Sequence, residues 1–191
     1  EMADEDAIRE RDSCLEKVKE DGLALLDELD IHKADKEVVL EAVRQNGLAL
    51  QSAAEGCRSD KDVVLAAVRK HGGALVYAAH SCKCDKEVVL EAVRRNRDAF
   101  QYAADICKGD KEVVLEAVRQ NALALQYAAD SCKRDREVVE ATLQQEWLAL
   151  RFAADELLDD PDFASEARQH FRILKVGMLS GRWTYCFYTE R

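Results

Sequence analysis

A five-residue motif, Asp-Lys/Arg-Glu/Asp-Val-Val, returns every 25 residues, at Asp35, Asp60, Asp85, Asp110 and Asp135. A fixed period of this length dictates a stacked repeat array. Each unit covers its apolar face only by meeting its neighbours, so the chain gains a long surface but no built-in catalytic pocket. Binding or scaffolding is the expected role.

Apolar slots carry the period. Val38 and Val39 recur as Val63 and Val64, Val88 and Val89, Val113 and Val114, and Val138 and Val139. Val43 recurs as Val68, Val93, Val118 and Leu143, at the i, i+4 spacing of a buried helical stripe. In the second half of the unit Leu50, Ala53, Ala54 and Cys57 recur as Leu75, Ala78, Ala79 and Cys82, then Phe100, Ala103, Ala104 and Cys107, then Leu125, Ala128, Ala129 and Cys132. That spacing also fits one helical face. The pattern therefore predicts two short helices per unit, with the leading Asp as N-cap and Asn46-Gly47 breaking the chain between them. Arg97, Ala122 and Trp147 take the glycine's slot in later units, so the break is expected not to depend on a glycine conformation. Small Ala49, Ala53 and Ala54 are expected to let second helices approach closely, with Val and Leu filling the layer between. The predicted class is all-α: an α-solenoid of 25-residue two-helix repeats with a short C-terminal β-hairpin or extended tail.

Register fixes the expected boundaries. Residues 1–9 form an acidic N-terminal extension, and residues 10–172 the array, with units starting near residues 10, 35, 60, 85, 110 and 135. In the degenerate first unit Val18, Gly22, Leu23, Ala24 and Leu25 keep register with Val43, Gly47, Leu48, Ala49 and Leu50. There the Val-Val pair has become Ser13-Cys14 and the small pair Glu28-Leu29, as expected of a capping unit that faces solvent. The unit from residue 135 carries Trp147, and its Cys slot has become Leu157. Asp160-Pro161 then predicts a last helix from residue 161 to about Phe171. Over residues 173–191 the alternation of Leu174, Val176 and Met178, the turn Leu179-Ser180-Gly181-Arg182, and the alternation of Trp183, Tyr185 and Phe187 predict an aromatic hairpin or tail. A lone hairpin is marginally stable and needs the array, a partner's sheet or further domain to lean on.

Charge narrows the partner. The net charge is −10; residues 1–34 hold 12 acidic against 5 basic side chains, and residues 161–191 hold 3 against 5. Free nucleic acid is repelled by such a chain, and no stretch interleaves basic with aromatic residues as a phosphate-tracking groove does. Lys36, Lys61, Lys86, Lys111 and Arg136, and Arg44, Arg69, Arg94 and Arg119, form periodic basic rows that fit one edge. Glu41, Glu91 and Glu116 stand three residues before their Arg partners, however, and are expected to pair with them. A nucleic-acid-binding role is the disfavoured alternative.

The sequence holds no apolar run near the ~20 residues of a membrane span and no secretory signal pattern. It begins Glu1-Met2, which is expected of a processed product or part of a longer chain. Of seven cysteines, Cys57, Cys82, Cys107 and Cys132 share one apolar slot and are expected as small buried thiols. Successive ones lie about one helix spacing apart, beyond the ~7 Å that a disulfide bridges. An intracellular, reducing compartment is expected: the cytoplasm, or a plastid or mitochondrion after loss of a targeting segment.

Candidate sites are few. Tyr77, Tyr102, Tyr127 and Phe152 share the slot of Ser52 and form an aromatic row, divided between a partner-binding surface and partial burial beside the Ala pair. Trp183, Tyr185, Phe187 and Tyr188 of the hairpin are further partner-binding candidates. His80, Cys82 and Cys84 are the only cluster with metal-like chemistry, and a zinc site needs four ligands where no second pair matches. Cys84 departs from a slot held by Ser59, Gly109, Arg134 and Asp159, which points to exposure. His32, His71 and His170 fall in different slots and form no triad. No phosphate loop, nucleophile elbow or metalloprotease motif occurs, so neither enzymatic activity nor a cofactor is expected.

The stretches DKEVVLEAVRQNGLALQSAAE, DKEVVLEAVRRNRDAFQYAAD and DKEVVLEAVRQNALALQYAAD resemble the helical repeats catalogued as domain of unknown function 4116, over Asp35 to Asp159. The resemblance implies the repeat fold and attaches no activity, cofactor or catalytic residue. It also implies an algal or protist source, and with it a peripheral subunit of an organellar membrane complex, photosynthetic or respiratory. The leading expectation is a non-enzymatic protein-interaction scaffold or accessory subunit of a larger assembly; the alternatives are that membrane-complex subunit and a nucleic-acid-binding or metal/redox repeat protein.

Overall fold

A computed structural model describes residues 2–163, 165, 175–179 and 182–186. Each repeat opens with a ten-residue α-helix: Lys36–Gln45, Lys61–Lys70, Lys86–Arg95, Lys111–Gln120 and Arg136–Gln145. The leading Asp caps it as expected. Asp35 Oδ1 accepts from the backbone N–H groups of Glu37 and Val38, at 2.8 and 3.3 Å, and Asp60, Asp85 and Asp110 repeat the pattern. Val38, Val39, Ala42 and Val43 and their counterparts form one buried stripe. Leading helices of successive units pack against one another, as do the segments that follow them, and the core lies between these two layers.

The second half of the unit is not one helix. It divides into a 3-10 helix (Gly47–Ser52) and a single α-turn (Glu55–Arg58), with Ala53 and Ala54 extended between them at ψ 145° and 158°. Alanine favours helix strongly, so tertiary contacts override local propensity here. The override is a backbone hydrogen bond across the unit boundary. Ala54 N–H donates to Lys33 O at 2.8 Å, and Ala79, Ala104, Ala129 and Ala154 donate likewise to Arg58, Lys83, Lys108 and Lys133. A continuous helix would spend each of those donors on its own carbonyls. Asn46 Oδ1 accepts from Leu48 N–H at 3.0 Å and so opens the 3-10 segment, and Asn121 does the same; Asn96 accepts from Asp98 N–H, ahead of a 3-10 segment that begins at Ala99.

Glycine matters more than the slot's variety suggests. Asn46, at φ −142°, breaks the helix without help, but a Cβ on Gly47 would lie 2.3 Å from Ala67 O of the next unit. Gly22 and Gly72 sit equally tight against Ala42 O and Ala92 O, at 2.3 and 2.6 Å. Glycine is needed for close approach, not for backbone freedom. In the unit carrying Arg97 the 3-10 helix shortens to Ala99–Tyr102.

The first unit also differs from expectation. Residues 2–9 are helical and continuous with the unit's leading helix, giving a single helix Met2–Glu20. The unit is polar toward solvent, as expected, at Ser13 and Lys17, which are exposed in the slots of buried Val38 and Ala42, but Cys14 is fully buried and His32 nearly so. At the other end Asp160 accepts from Asp162 and Phe163 N–H, both at 2.9 Å, which starts the expected last helix; its course to Phe171 lies outside the described residues. Strands Lys175–Leu179 and Arg182–Cys186 pair antiparallel, with Leu179 opposite Arg182 and Lys175 opposite Cys186.

Candidate interaction surface and buried polar cluster

The aromatic row closes successive 3-10 helices, at Tyr77, Tyr102, Tyr127 and Phe152. The row is graded. Tyr102 and Tyr127 are 37% and 39% exposed, whereas Tyr77 and Phe152 are half-buried against the core. The Arg151 guanidinium lies 4.7 Å from the Phe152 ring centroid, a cation–π contact. Val76 precedes Tyr77 and is also exposed, and Ile106, on the α-turn after Tyr102, is 70% exposed. In the hairpin Trp183 pairs with Met178 and Tyr185 with Val176; Phe187 and Tyr188 lie outside the described residues.

The lysine row is not a free basic edge. Lys36 Nζ reaches Asp60 of the next unit at 2.7 Å, and Lys61, Lys86 and Lys111 reach Asp85, Asp110 and Asp135 at 2.9, 2.9 and 2.8 Å. Each lysine also touches the carboxylate two residues further on: Asp62, Glu87, Glu112 or Glu137. The N-cap aspartate thus uses one oxygen for its own helix and the other for the preceding unit. Arg11 extends the ladder to Asp35, at 2.6 Å. Of the expected Glu–Arg pairs, Arg44 meets Glu41 at 3.7 Å, while Arg94 turns to Glu116 of the next unit at 3.8 Å.

All five cap carboxyls are held below the ordinary Asp range. For Asp35 and Asp60 the largest cause is the hydrogen bond from Arg11 or Lys36, opposed by burial. For Asp85, Asp110 and Asp135 burial is the largest influence and pushes upward; the lysine bond, the backbone N–H bonds and the lysine charge together outweigh it.

The metal-like cluster divides. His80 Nε2 and Cys84 Sγ lie 3.5 Å apart on one surface turn, but Cys82 points into the core and donates to Ser59 O at 3.4 Å. Cys57, Cys107 and Cys132 donate in the same way to Ala34, Cys84 and Gly109 carbonyls. Burial pushes these thiols up, Cys107 to about 11. Among the described thiols, Cys84 is half-buried and the others buried. Iodoacetamide should therefore modify Cys84 at least about tenfold faster than Cys57, Cys82, Cys107 or Cys132, as peptide mapping would reveal. Equal rates would contradict the buried ladder.

A different cluster forms where the sequence offered no motif. Glu28 lies between Cys14, His32 and Lys17: Lys17 Nζ donates to Glu28 Oε1 at 2.9 Å, and His32 Nδ1 is 3.2 Å from Glu28 Oε2. The Cys14 sulfur, a Glu28 oxygen and a His32 ring nitrogen all lie within 4.8 Å of one another. Burial, then the Glu28 charge, pushes the Cys14 thiol up to about 11, so it is a poor nucleophile. The Glu28 carboxyl is held low, by the Lys17 hydrogen bond first. The signal in the sequence is a coincidence of slots. Cys14, Glu28 and His32 replace, within a single unit, residues equivalent to Val39, Ala53 and Cys57.

No described helix is long and apolar enough to cross a membrane. A family model described as Domain of unknown function (DUF4116) matches residues 11–58, 60–108 and 110–158. Each match spans two 25-residue units, and the first includes the degenerate unit that the sequence resemblance leaves outside. No curated protein and no solved structure matches the chain.

Proposed function

We propose that this chain, which belongs to the family described as Domain of unknown function (DUF4116), is a non-enzymatic interaction scaffold or accessory subunit that grips a protein partner along its aromatic row. One observation carries the reading: Tyr102 and Tyr127 stand exposed in the same slot of consecutive units. Large amphipathic rings at a regular spacing of roughly 10 Å suit an extended peptide or a partner helix. The ladder supports a protein partner over nucleic acid, because Lys36, Lys61, Lys86 and Lys111 are already committed to carboxylates. The free thiols favour work in a reducing compartment.

Ser52 shows what the slot accepts, so a Tyr102→Ser/Tyr127→Ser double variant should keep its helical circular dichroism. Affinity capture from source cells should recover a stoichiometric partner with the wild-type chain and at least about tenfold less with the variant, the loss expected from two contact tyrosines. Deleting residues 173–191 tests the hairpin in the same way. If wild-type and both altered chains retain the same proteins, the aromatic surfaces are not the contact.

A further inference from the structure

The first unit departs from the repeat at five core slots: Ser13 and Lys17, in the slots of Val38 and Ala42, are exposed, whereas Cys14, Glu28 and His32 lie inside and meet at one point. Cys14 holds the slot of Val39, Val64, Val89, Val114 and Val139; Glu28 that of Ala53, Ala78, Ala103, Ala128 and Ala153; His32 that of Cys57, Cys82, Cys107 and Cys132. In later units these slots are dry and apolar. Ser13 and Lys17 are polar on the exposed side, as a capping unit would be, but Cys14 is fully buried, His32 is 7% exposed and the Glu28 side chain 10%. Sequestering a carboxylate, an imidazole and a thiol beside the apolar core is costly unless the three are used together.

Their geometry fits a metal ion. Zinc binds oxygen and nitrogen at about 2.0–2.1 Å and sulfur at about 2.3 Å, so a tetrahedral site has O···N edges of about 3.3 Å and S···N edges of about 3.6 Å. The Nδ1–Oε2 separation is 3.2 Å, and every donor pair lies within 4.8 Å. Lys17 holds Glu28 Oε1 and so orients the carboxylate with Oε2 toward His32, the outer-shell support that metal ligands commonly have.

We propose that Cys14, Glu28 and His32 form a three-ligand site for a divalent transition-metal ion of the zinc class. Thiolate and imidazole select zinc over magnesium or calcium. A surface pocket of about 520 Å³, bordered by Ser13, Lys17, Glu28 and His32, leaves the fourth position to water or another small ligand. The ion ties the helix Met2–Glu20 to the residue that ends the 3-10 segment, Glu28, and to the short helix Asp30–Ala34. It thereby fastens the leading helix of this unit to the segments that follow it.

Elemental analysis of the full chain, stripped with chelator, reloaded with zinc and passed through gel filtration, should show one equivalent retained. Cobalt in its place should give the thiolate charge-transfer and tetrahedral d–d absorption bands. A Cys14→Val/Glu28→Ala/His32→Leu variant installs residues that the equivalent slots of other units carry, His32 taking the residue of Leu157, and so should fold. It should bind zinc at least about a hundredfold more weakly in competition with a chromophoric chelator. A His80→Ala/Cys84→Ser variant should keep the full stoichiometry, which separates this site from the surface pair. Absence of retained metal in the wild-type chain, or equal retention by the triple variant, overturns the proposal.

Discussion

Gly47→Ala lowers the unfolding free energy by about 1–3 kcal/mol, the usual range for forcing a methyl into a filled interface. The added Cβ meets Ala67 O at 2.3 Å and His71 N at 3.0 Å, both backbone groups near the end of the next leading helix. Backbone cannot swing aside as a flexible side chain can, so two units must separate or tilt. Gly56→Ala provides the contrast. Gly56 lies within the helix Glu55–Arg58 with nothing within 4 Å of its would-be Cβ, so alanine there should stabilise by about 0.5–1 kcal/mol. Urea titrations of the two variants followed by circular dichroism should therefore shift in opposite directions. Coincident midpoints would mean that the units are less closely packed than the glycine contacts require. Ala122 occupies the Gly47 slot in a later unit and is buried there, so the interface between units is not one fixed spacing.

This glycine illustrates what the 25-residue period reveals and what it hides. Positions within a leading helix depend on i, i+4 neighbours and a local cap, so Asp35, Val38, Val39 and Val43 announce their roles within nine residues of sequence. The 3-10 segment does not. Leu50, Ala53, Ala54 and Cys57 fit one face of an α-helix equally well, and what breaks the helix is Lys33 O, a backbone acceptor 21 positions upstream. The lysine row is similar: its partners lie 24 and 26 positions ahead, outside the i±4 window in which Glu41 and Arg44 suggest themselves. A search for opposite charges at offsets near the repeat period would have found them. Cys14, Glu28 and His32 are the opposite case, visible as three changed slots but interpretable only once burial places them inside rather than outside. Exposure of Tyr102 and Tyr127 against partial burial of Tyr77 likewise depends on packing that one slot, repeated, does not encode.

Acid should dismantle the array through its caps. Asp35, Asp60, Asp85, Asp110 and Asp135 are all held below their ordinary pKa in the folded chain. A depressed folded pKa means that the unfolded chain binds protons first, so each carboxylate contributes its full stabilisation above the unfolded value of about 3.9. That contribution is lost as pH falls through the lower folded value. Because each cap carboxylate also joins its unit to the preceding one through Arg11 or a lysine, protonation weakens a helix start and a unit boundary together. Urea midpoints measured from pH 7 to pH 2 should be nearly level above pH 5 and fall steeply below pH 4. Two substitutions separate the roles. Asp85→Asn keeps a capping oxygen for Glu87 and Val88 N–H but carries no charge for Lys61, so it should flatten the acid limb by lowering stability at neutral pH while leaving stability near pH 2 close to that of the wild-type chain. Asp85→Ala loses the cap as well and should cost about 1 kcal/mol more than Asp85→Asn, in acid as well as at neutral pH. An acid limb as steep in Asp85→Asn as in the wild-type chain would show that the ladder does not carry the pH dependence, and would shift it to carboxylates outside the caps, such as Glu28 and Glu156.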